Sequence, residues 1–139
     1  MAVRSFIGVV HARQAGYARE AGIVAFSHGR EAPVKDLSPG DRVVLYAPRT
    51  DFDGDPVQAF VAHAVVTGDA PYIREFPMGE GWCRDASYDD VTPAPVRPML
   101  EDLSFVKDPR YWGMAFRRGK FEISEADYRT IATALEVQP

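Results

Sequence analysis

The chain has 139 residues, of which 46 % are hydrophobic and 26 % are charged, and its formal net charge is −4. These values predict one globular domain over residues 1–139 and exclude a disordered chain, because the sequence has enough apolar surface to bury a core. The acidic total excludes a protein that coats nucleic acid through phosphate contacts alone, since such binding requires a basic surface.

Short apolar runs, separated by turns that contain Gly or Pro, predict a chain rich in β-strands. Residues 3–10 predict the first strand, and residues 11–20 predict a short helix or turn that Gly22 ends. Residues 37–41 contain the Pro-Gly pair of a tight turn, which leads into the next strand. Further strands are predicted at 23–29, 42–48, 57–68, 72–76 and 81–91, and an extended connection is predicted at 92–98.

The strand predicted at 57–68 is expected to lie in the middle of the sheet. A strand with one face in solvent alternates apolar and polar residues, whereas this strand is mostly apolar on both faces. A strand buried on both faces lies centrally in a curled sheet or barrel. One face carries Val57, Ala59, Val61 and Val65, and the other carries Phe60, Ala62, Ala64 and Val66.

The clearest local signal is a helix near the C-terminal end. Ser124 is a favourable N-cap residue, and Asp127 stands where a capping box usually has Glu or Gln. Ile123 and Tyr128 occupy the two positions of a hydrophobic staple. With strands in the middle and a helix near each end, the sequence predicts an α+β fold, a partly open barrel of about six or seven strands. The predicted apolar stripe of the helix is Ala126, Ile131, Ala132 and Leu135.

The sequence predicts a cytoplasmic protein that does not enter a membrane. No apolar run approaches the roughly 18 residues that span a bilayer. The N-terminal apolar run lacks the basic region and the cleavage site of a signal peptide, so it is interpreted as a strand. Cys83 is the only cysteine, which excludes an internal disulfide and is typical of a reducing compartment.

No pattern in the sequence predicts a metal site or a catalytic centre. Asp51, Asp53 and Asp55 resemble part of a calcium loop, but the Gly and Glu of an EF-hand are absent from the required positions, which favours a solvated turn. The histidines have no partner at zinc-ligand spacing. Neighbouring Ser27 and His28 would point to opposite faces of a strand, and the sequence has no P-loop. We therefore expect no metal, no cofactor and no catalytic turnover.

The segment 107–120 combines aromatic residues with a local excess of positive charge. It contains five cations and one anion, a balance of +4, so the remainder of the chain carries −8. One basic patch on an acidic body indicates a localised binding site. Trp112 is expected to form an aromatic wall, with a sharp turn at Gly113, and Arg117 and Arg118 are expected to contact phosphate. The alternative is that Trp112 is a core residue.

Several spaced motifs resemble the EVE domain in its small, single-domain bacterial form. They are Gly40-Asp41 with Tyr46, the strand at 57–66, Trp112-Gly113, and Asp127-Tyr128 with Ile131. The likeness covers almost the whole chain, although Phe6 stands where other members have a Trp. The resemblance implies a PUA-like mixed β-barrel with flanking short helices and a C-terminal helix. It also implies a non-enzymatic reader, since EVE domains are similar to YTH domains, which hold a modified base in an aromatic cage.

The predicted pocket lies where two paired strands meet at one rim of the barrel. Tyr46 ends one strand and Gln58 and Phe60 begin the next, so these three side chains are expected to converge. Tyr46 or Phe60 would stack on a base, while Gln58 or Ser27 would bind its edge. The candidate ligand-binding residues are Phe26, Ser27, His28, Tyr46, Arg49, Gln58, Phe60, Trp112, Phe116, Arg117 and Arg118.

Two functions are compatible with this pocket. The first is a module that binds a modified base in DNA or RNA, for which an acidic body is acceptable because one flipped base supplies the affinity. The second is a sensor or enzyme that uses the pocket for a free nucleoside or another metabolite. An interaction domain without pocket chemistry is a third interpretation, and no particular protein partner is indicated. The basic segment discriminates the first two, since only an oligonucleotide reader would use it.

Overall fold

One mixed β-sheet forms the frame of the molecule. The computed structural model describes residues 3–77 and 79–137, and in these residues the sheet contains eight strands. The strands are β1 (Ser5–Val9), β2 (Ile23–Val24), β3 (Arg42–Arg49), β4 (Pro56–Val66), β5 (Tyr72–Phe76), β6 (Gly79–Asp89), β7 (Ala94–Pro95) and β8 (Lys120–Ile123).

The strands follow the order β2–β6–β4–β3–β1–β8, while β5 pairs with β6 and β7 pairs with β4. β1 and β3 run parallel, and the other pairs among the described residues are antiparallel. As predicted, β4 lies centrally, between β3 and β6. The curled, mixed sheet confirms the predicted fold class. The fold is α+β, a PUA-like barrel that is partly open. The strands that the sequence did not reveal are β7, with two residues, and β8, with four.

Short helices flank the sheet, as predicted. Gly22 ends the first helix with a left-handed φ of 72°. The hydroxyl of Ser124 accepts a hydrogen bond from the backbone N–H of Asp127 at 3.1 Å, which confirms the predicted N-cap of the last helix. Within residues 3–77 and 79–137, no helix has both the length and the hydropathy that crossing a bilayer requires. The α-helices are α1 (Ala12–Ala21), α2 (Glu31–Lys35) and α3 (Glu125–Ala134), and 3₁₀ segments cover Ser27–Gly29, Arg97–Asp102 and Pro109–Arg118.

The side chain of Asp127 joins α3 to the chain that precedes the last 3₁₀ segment. It is only 3 % exposed, and its carboxylate accepts hydrogen bonds from the backbone N–H of Ser104 at 2.9 Å and from the Ser104 hydroxyl at 2.5 Å. The buried face of α3 therefore contains Asp127, Tyr128 and Ile131. The predicted apolar stripe is wrong at Ala126, which is exposed on the opposite side.

The two faces of the sheet bury separate clusters of side chains. Residue alternation decides the face: in β3, Val44 and Tyr46 point into one cluster, whereas Val43 and Leu45 point into the other. We call the first the front cluster; it also contains Phe60, Phe116, Phe121, Ile123, Tyr128 and Ile131. We call the second the back cluster; it also contains Phe6, Ala15, Phe26, Val34 and Ala64.

The strand predicted at 23–29 ends early. Only Ile23–Val24 pairs with the sheet, and the chain then turns through a 3₁₀ segment. The physical reason is that Gly29 has a left-handed φ of 79°, which the extended backbone of a strand cannot contain. Position 28 is also left-handed, with a φ of 61°. The prediction that a strand ends with Phe26, Ser27 and His28 is therefore wrong, and α2, which follows, was not predicted.

We expect Gly8→Ala to destabilise the fold by about 1–3 kcal/mol, as overpacking of a core does. A Cβ at this position of β1 would lie 2.3 Å from Cε1 of Phe26, whose fully buried ring cannot retreat into solvent. The matched control is Gly16→Ala in α1, where a Cβ would meet nothing within 4 Å. This control should raise stability by about 0.5–1 kcal/mol, because Gly is unfavourable inside a helix. Urea denaturation measures both effects, and equal stabilities would contradict the packing at Gly8.

Candidate ligand-binding site

An aromatic pair lies where β3 ends and β4 begins. Tyr46 and Phe60 are direct partners across these antiparallel strands, and their ring centroids are 5.5 Å apart. Register shifts flank the pair, one between Leu45 and Tyr46 and one between Ala47 and Arg49. Such bulges change the direction of side chains at the rim of a sheet. Both rings consequently point into the front cluster, on the same face of the sheet.

The segment Pro109–Arg118 covers this pair with two further aromatic side chains. Phe116 stacks on Tyr46, with ring centroids 4.1 Å apart and an interplanar angle of 21°. Trp112 meets Tyr46 at 6.5 Å and Phe116 at 6.0 Å, both in edge-to-face geometry. Tyr46, Phe60 and Phe116 are buried, whereas Trp112 is half-buried. Of these four rings, Trp112 is therefore the one that a ligand can reach from solvent.

Arg97 and Gln58 place polar groups beside Trp112. The guanidinium carbon of Arg97 lies 5.3 Å from the centroid of the Trp112 ring, and its Nε donates to Oε1 of Gln58 at 3.2 Å. Arg97 is exposed, and its terminal nitrogens meet no acceptor in the described part of the chain. A flat aromatic surface is thus combined with hydrogen-bond donors that remain free for a ligand.

The backbone of Gln58 is strained. Its φ of 50° is left-handed, which costs a residue other than Gly about 1–2 kcal/mol. The carbonyl of Gln58 accepts a hydrogen bond at 3.0 Å from the N–H of Val96, the residue before Arg97. The strained residue therefore joins β4 to the segment that carries Arg97. Backbone strain of this kind clusters at ligand sites.

The phenol of Tyr46 is buried, and it lies close enough to Arg97 for that charge to act on it. Burial raises the pKa of Tyr46 to about 12, and the positive charge of Arg97 partly opposes this effect. At neutral pH the phenol is uncharged and remains a hydrogen-bond donor. We call the group of Tyr46, Gln58, Arg97 and Trp112 the Trp112 site.

Sequence reasoning missed Arg97. It lies within the extended connection predicted at 92–98 and begins a 3₁₀ segment, and neither feature has a periodic pattern that would single out one side chain. Its position depends on the pairing of β7 with β4 and on the hydrogen bond between Val96 and Gln58. These contacts join distant parts of the sequence, so no local signal could have identified Arg97.

The structure brings some of the predicted ligand-binding residues together and separates others. Phe26 packs in the back cluster, on the other face of the sheet. His28 is exposed, and the side chain of Ser27 lies outside the described part of the molecule. Arg49 donates to the carbonyl of Gly54 at 2.9 Å, in the loop between β3 and β4. The residues that come together are Tyr46, Gln58, Phe60, Trp112 and Phe116.

The basic segment 107–120 does not form one positive patch. Arg110 is paired with Asp108 through hydrogen bonds of 3.3 and 3.1 Å. Lys120 donates to the carboxylate of Asp36 at 3.1 Å. Two of the five cations are therefore neutralised by nearby carboxylates.

Arg117 and Arg118 are both exposed at the end of the 3₁₀ segment. The guanidinium carbon of Arg118 lies 4.1 Å from the centroid of the Phe121 ring. The predicted sharp turn at Gly113 is wrong, because Gly113 lies inside the 3₁₀ segment without a positive φ. The chain turns instead at Gly119, whose φ is 73°.

Two buried titratable residues of the sheet, His63 and Cys83, lie outside the Trp112 site. One ring nitrogen of His63 lies 2.6 Å from the carboxylate of Asp89, and the other lies 2.7 Å from the hydroxyl of Tyr128. This buried histidine thus links β4 to β6 and α3. Burial raises the pKa of the Cys83 thiol, which keeps it protonated. Across the described residues, no group of three His, Cys, Asp or Glu side chains is arranged to hold a metal ion.

Comparison with known sequences finds relatives over most of the chain. The family model of the EVE domain matches residues 9–134. A UPF0310 protein of Mycolicibacterium vanbaalenii is 38 % identical over 111 residues, which cover 78 % of this chain and 77 % of the relative. The UPF0310 protein msl3206 of Mesorhizobium japonicum is 35 % identical over 136 residues, which cover 94 % of this chain and 90 % of the relative. These names assign no substrate and no reaction.

Solved structures with very different sequences share the fold. A hypothetical protein from Leishmania major has a TM-score of 0.62 at 10 % identity, and the match covers 97 % of this chain and 96 % of the other. Rpa0253 from Rhodopseudomonas palustris, solved by NMR, has a TM-score of 0.61 at 14 % identity, and the match covers 99 % and 96 % of the two chains. At such identities the likeness shows the fold alone.

We expect Gln58→Gly to be at least as stable as the wild-type protein, because Gly adopts a φ of 50° without strain. Gln58→Ala is the matched control, since it loses the same amide but keeps the left-handed backbone. It should be less stable than Gln58→Gly by about 1 kcal/mol. Urea midpoints of the two variants measure this difference. A Gln58→Gly variant that is less stable than Gln58→Ala would contradict the left-handed conformation.

Proposed function

We propose that this chain, which belongs to the EVE domain family, is a non-enzymatic binding module for a modified nucleobase carried by DNA or RNA. Family membership supports a binding domain. The chemistry of the Trp112 site supports a flat ligand with a polar edge, because an aromatic surface and several hydrogen-bond donors lie side by side.

The observation that carries this function is the half-buried indole of Trp112 beside free donors. A base that leaves its stack gains about 1–3 kcal/mol on an aromatic side chain. Trp112 is held by Phe116 and Tyr46, so no loop has to become ordered before a base can stack. The amide of Gln58 and the guanidinium of Arg97 would bind the edge of that base.

In this function, the base takes the place of the Arg97 guanidinium over the indole ring of Trp112. A cation over an exposed aromatic ring contributes about 0.5–1 kcal/mol, which is less than base stacking contributes. The displaced guanidinium remains beside Gln58, to which its Nε donates. Its terminal nitrogens can then donate to acceptors on the base edge, in the two-pronged manner that arginine uses for guanine. The exchange replaces one weak contact by stacking and hydrogen bonds.

The overall charge of the chain is compatible with a ligand that is bound mainly through one base. Affinity from many phosphates requires a basic surface, whereas this chain has a net charge of −4. Stacking has no such requirement. We therefore expect weak binding to unmodified duplexes, whose bases remain stacked.

Binding measured across an array of oligonucleotides and nucleosides tests this function. The array contains modified and unmodified bases in single-stranded and duplex DNA and RNA, together with the matching free nucleosides. One modified base should bind tighter than its unmodified counterpart by about tenfold, the effect of one well-placed pocket contact. Equal affinity for modified and unmodified bases would contradict the function. Preference for a free nucleoside over every oligonucleotide would support a small-molecule sensor instead.

We expect Trp112→Ala to weaken binding of the selected ligand by about tenfold to a hundredfold, through the loss of stacking. Trp82→Ala is the matched control, because Trp82 is also half-buried but packs against the back cluster. Both changes should lower thermal stability, and only Trp112→Ala should reduce the affinity of the folded protein. If Trp112→Ala loses affinity only in proportion to unfolding, Trp112 is a core residue and not a ligand contact.

Fluorescence provides a second measurement of the same contact. The chain has two tryptophans, so Trp82→Phe leaves Trp112 as the single indole reporter. Ligand binding to this variant should change the emission of Trp112 with the same affinity that the array gives. Emission that stays constant at saturating ligand would show that the ligand binds away from Trp112.

A further inference from the structure

A groove of about 310 Å³ lies at the edge of the sheet that β8 forms. The chain around α2 forms one wall, and the end of the Pro109–Arg118 segment with the start of β8 forms the other. No residue of the Trp112 site contributes to this lining, so the two sites are separate. The lining residues are Arg30, Ala32, Pro33, Asp36, Arg118 and Lys120.

The carboxylate in the groove is already compensated. Nζ of Lys120 donates to Asp36 at 3.1 Å and to the carbonyl of Pro33 at 2.7 Å. The Lys120 side chain is 8 % exposed, whereas that of Asp36 is 58 % exposed, so the ion pair lies at the surface of the groove. Arg4 lies on the other side of Asp36, with a guanidinium nitrogen 3.7 Å from the carboxylate. The negative charge of Asp36 is therefore balanced within the wall of the groove.

The two arginines of the groove have no such partner. In the described part of the chain, neither Arg30 nor Arg118 forms an ion pair with a carboxylate. The Phe121 ring supports the guanidinium of Arg118, whose Nε lies 3.4 Å from the carbonyl of Ala115. This orientation leaves the terminal nitrogens of Arg118 unengaged. The groove consequently holds two uncompensated positive charges.

A row of aromatic rings connects the groove to the Trp112 site. The centroids of Trp112 and Phe116 are 6.0 Å apart, and those of Phe116 and Phe121 are 6.1 Å apart. Arg118 lies over the last of these rings. Because the rings pack on the front cluster, the groove and the Trp112 site are held at a fixed separation. The Trp112 site and the groove therefore lie at the two ends of this row of rings.

We infer that the groove binds a phosphate group of the strand whose base lies on Trp112, an inference that rests on the proposed function. Arginine presents a planar fork of donors that matches the oxygens of a phosphate. Two unpaired arginines that line one groove can contact the same phosphate. A free nucleoside has no group for this groove. The ligand class is therefore a nucleic-acid strand.

Titration with inorganic phosphate tests the groove without nucleic acid. Arginine side-chain NMR signals of Arg30 and Arg118 should shift to saturation. Arg30→Ala combined with Arg118→Ala should weaken phosphate binding by about tenfold, as the loss of charge-assisted hydrogen bonds predicts. The control of equal charge combines Arg110→Ala with Arg129→Ala, whose side chains are 81 % and 77 % exposed, and it should bind phosphate as the wild-type protein does. Equal loss in both double variants would overturn the inference.

Asp36→Asn should have the opposite effect on phosphate binding from the Arg30 and Arg118 double variant. This change removes the only carboxylate among the lining residues and releases Lys120 from its ion pair. Phosphate binding should then strengthen several-fold, because the groove loses the negative charge that repels the anion. Unchanged or weaker phosphate binding by folded Asp36→Asn would count against the groove.

The salt dependence of oligonucleotide binding separates this inference from the proposed function. The slope of log K against log salt is negative, and its magnitude should decrease by about 0.7 for each phosphate contact that the Arg30 and Arg118 double variant loses. Trp112→Ala should keep the slope and lower the affinity. An unchanged slope in the double variant would reject the groove, even if Trp112 proves essential. A reduced slope together with full affinity of Trp112→Ala would retain the groove and reject the Trp112 site.

Discussion

The stacking of Phe116 on Tyr46 is the contact on which the candidate site depends. Tyr46 belongs to β3 in the interior of the sheet, whereas Phe116 belongs to a 3₁₀ segment without strand pairing of its own. Their rings are 4.1 Å apart, and both are buried. Because Phe116 also contacts Phe60, Phe105 and Phe121, its position in the core is fixed. Trp112, four residues earlier, is consequently presented by the core and not by a free loop.

Trp112 combines features of an aromatic wall and of a core residue. It packs against the front cluster, it is half-buried, and the guanidinium of Arg97 lies over its ring. At Gln58, stability and the proposed function have opposite requirements. The left-handed backbone of this residue is unfavourable for any residue except Gly. A glycine would relieve that strain and would remove the amide that holds Arg97. A side chain kept at a strained position is typical of binding sites.

The parts of the structure that depend on neighbours in sequence could be predicted, and those that depend on distant contacts could not. The hairpin that pairs Tyr46 with Phe60 was predictable because a single short loop joins its two strands. Arg97 was not, since a hydrogen bond from the preceding residue to Gln58 brings it to the site. Phe26 was placed with the site because its strand was predicted too long. A run of apolar residues does not reveal which face of a sheet each one covers.

Charge counted along the sequence also differs from the charge that the surface presents. The segment 107–120 has a balance of +4, yet two of its five cations are neutralised by carboxylates. Arg97 and Arg30, which lie elsewhere in the sequence, supply free donors at the Trp112 site and at the groove instead. Each proposed contact with nucleic acid therefore involves few cations. Because few phosphate contacts give weak, salt-sensitive attraction, any tight binding has to come from the base itself, through stacking and edge hydrogen bonds.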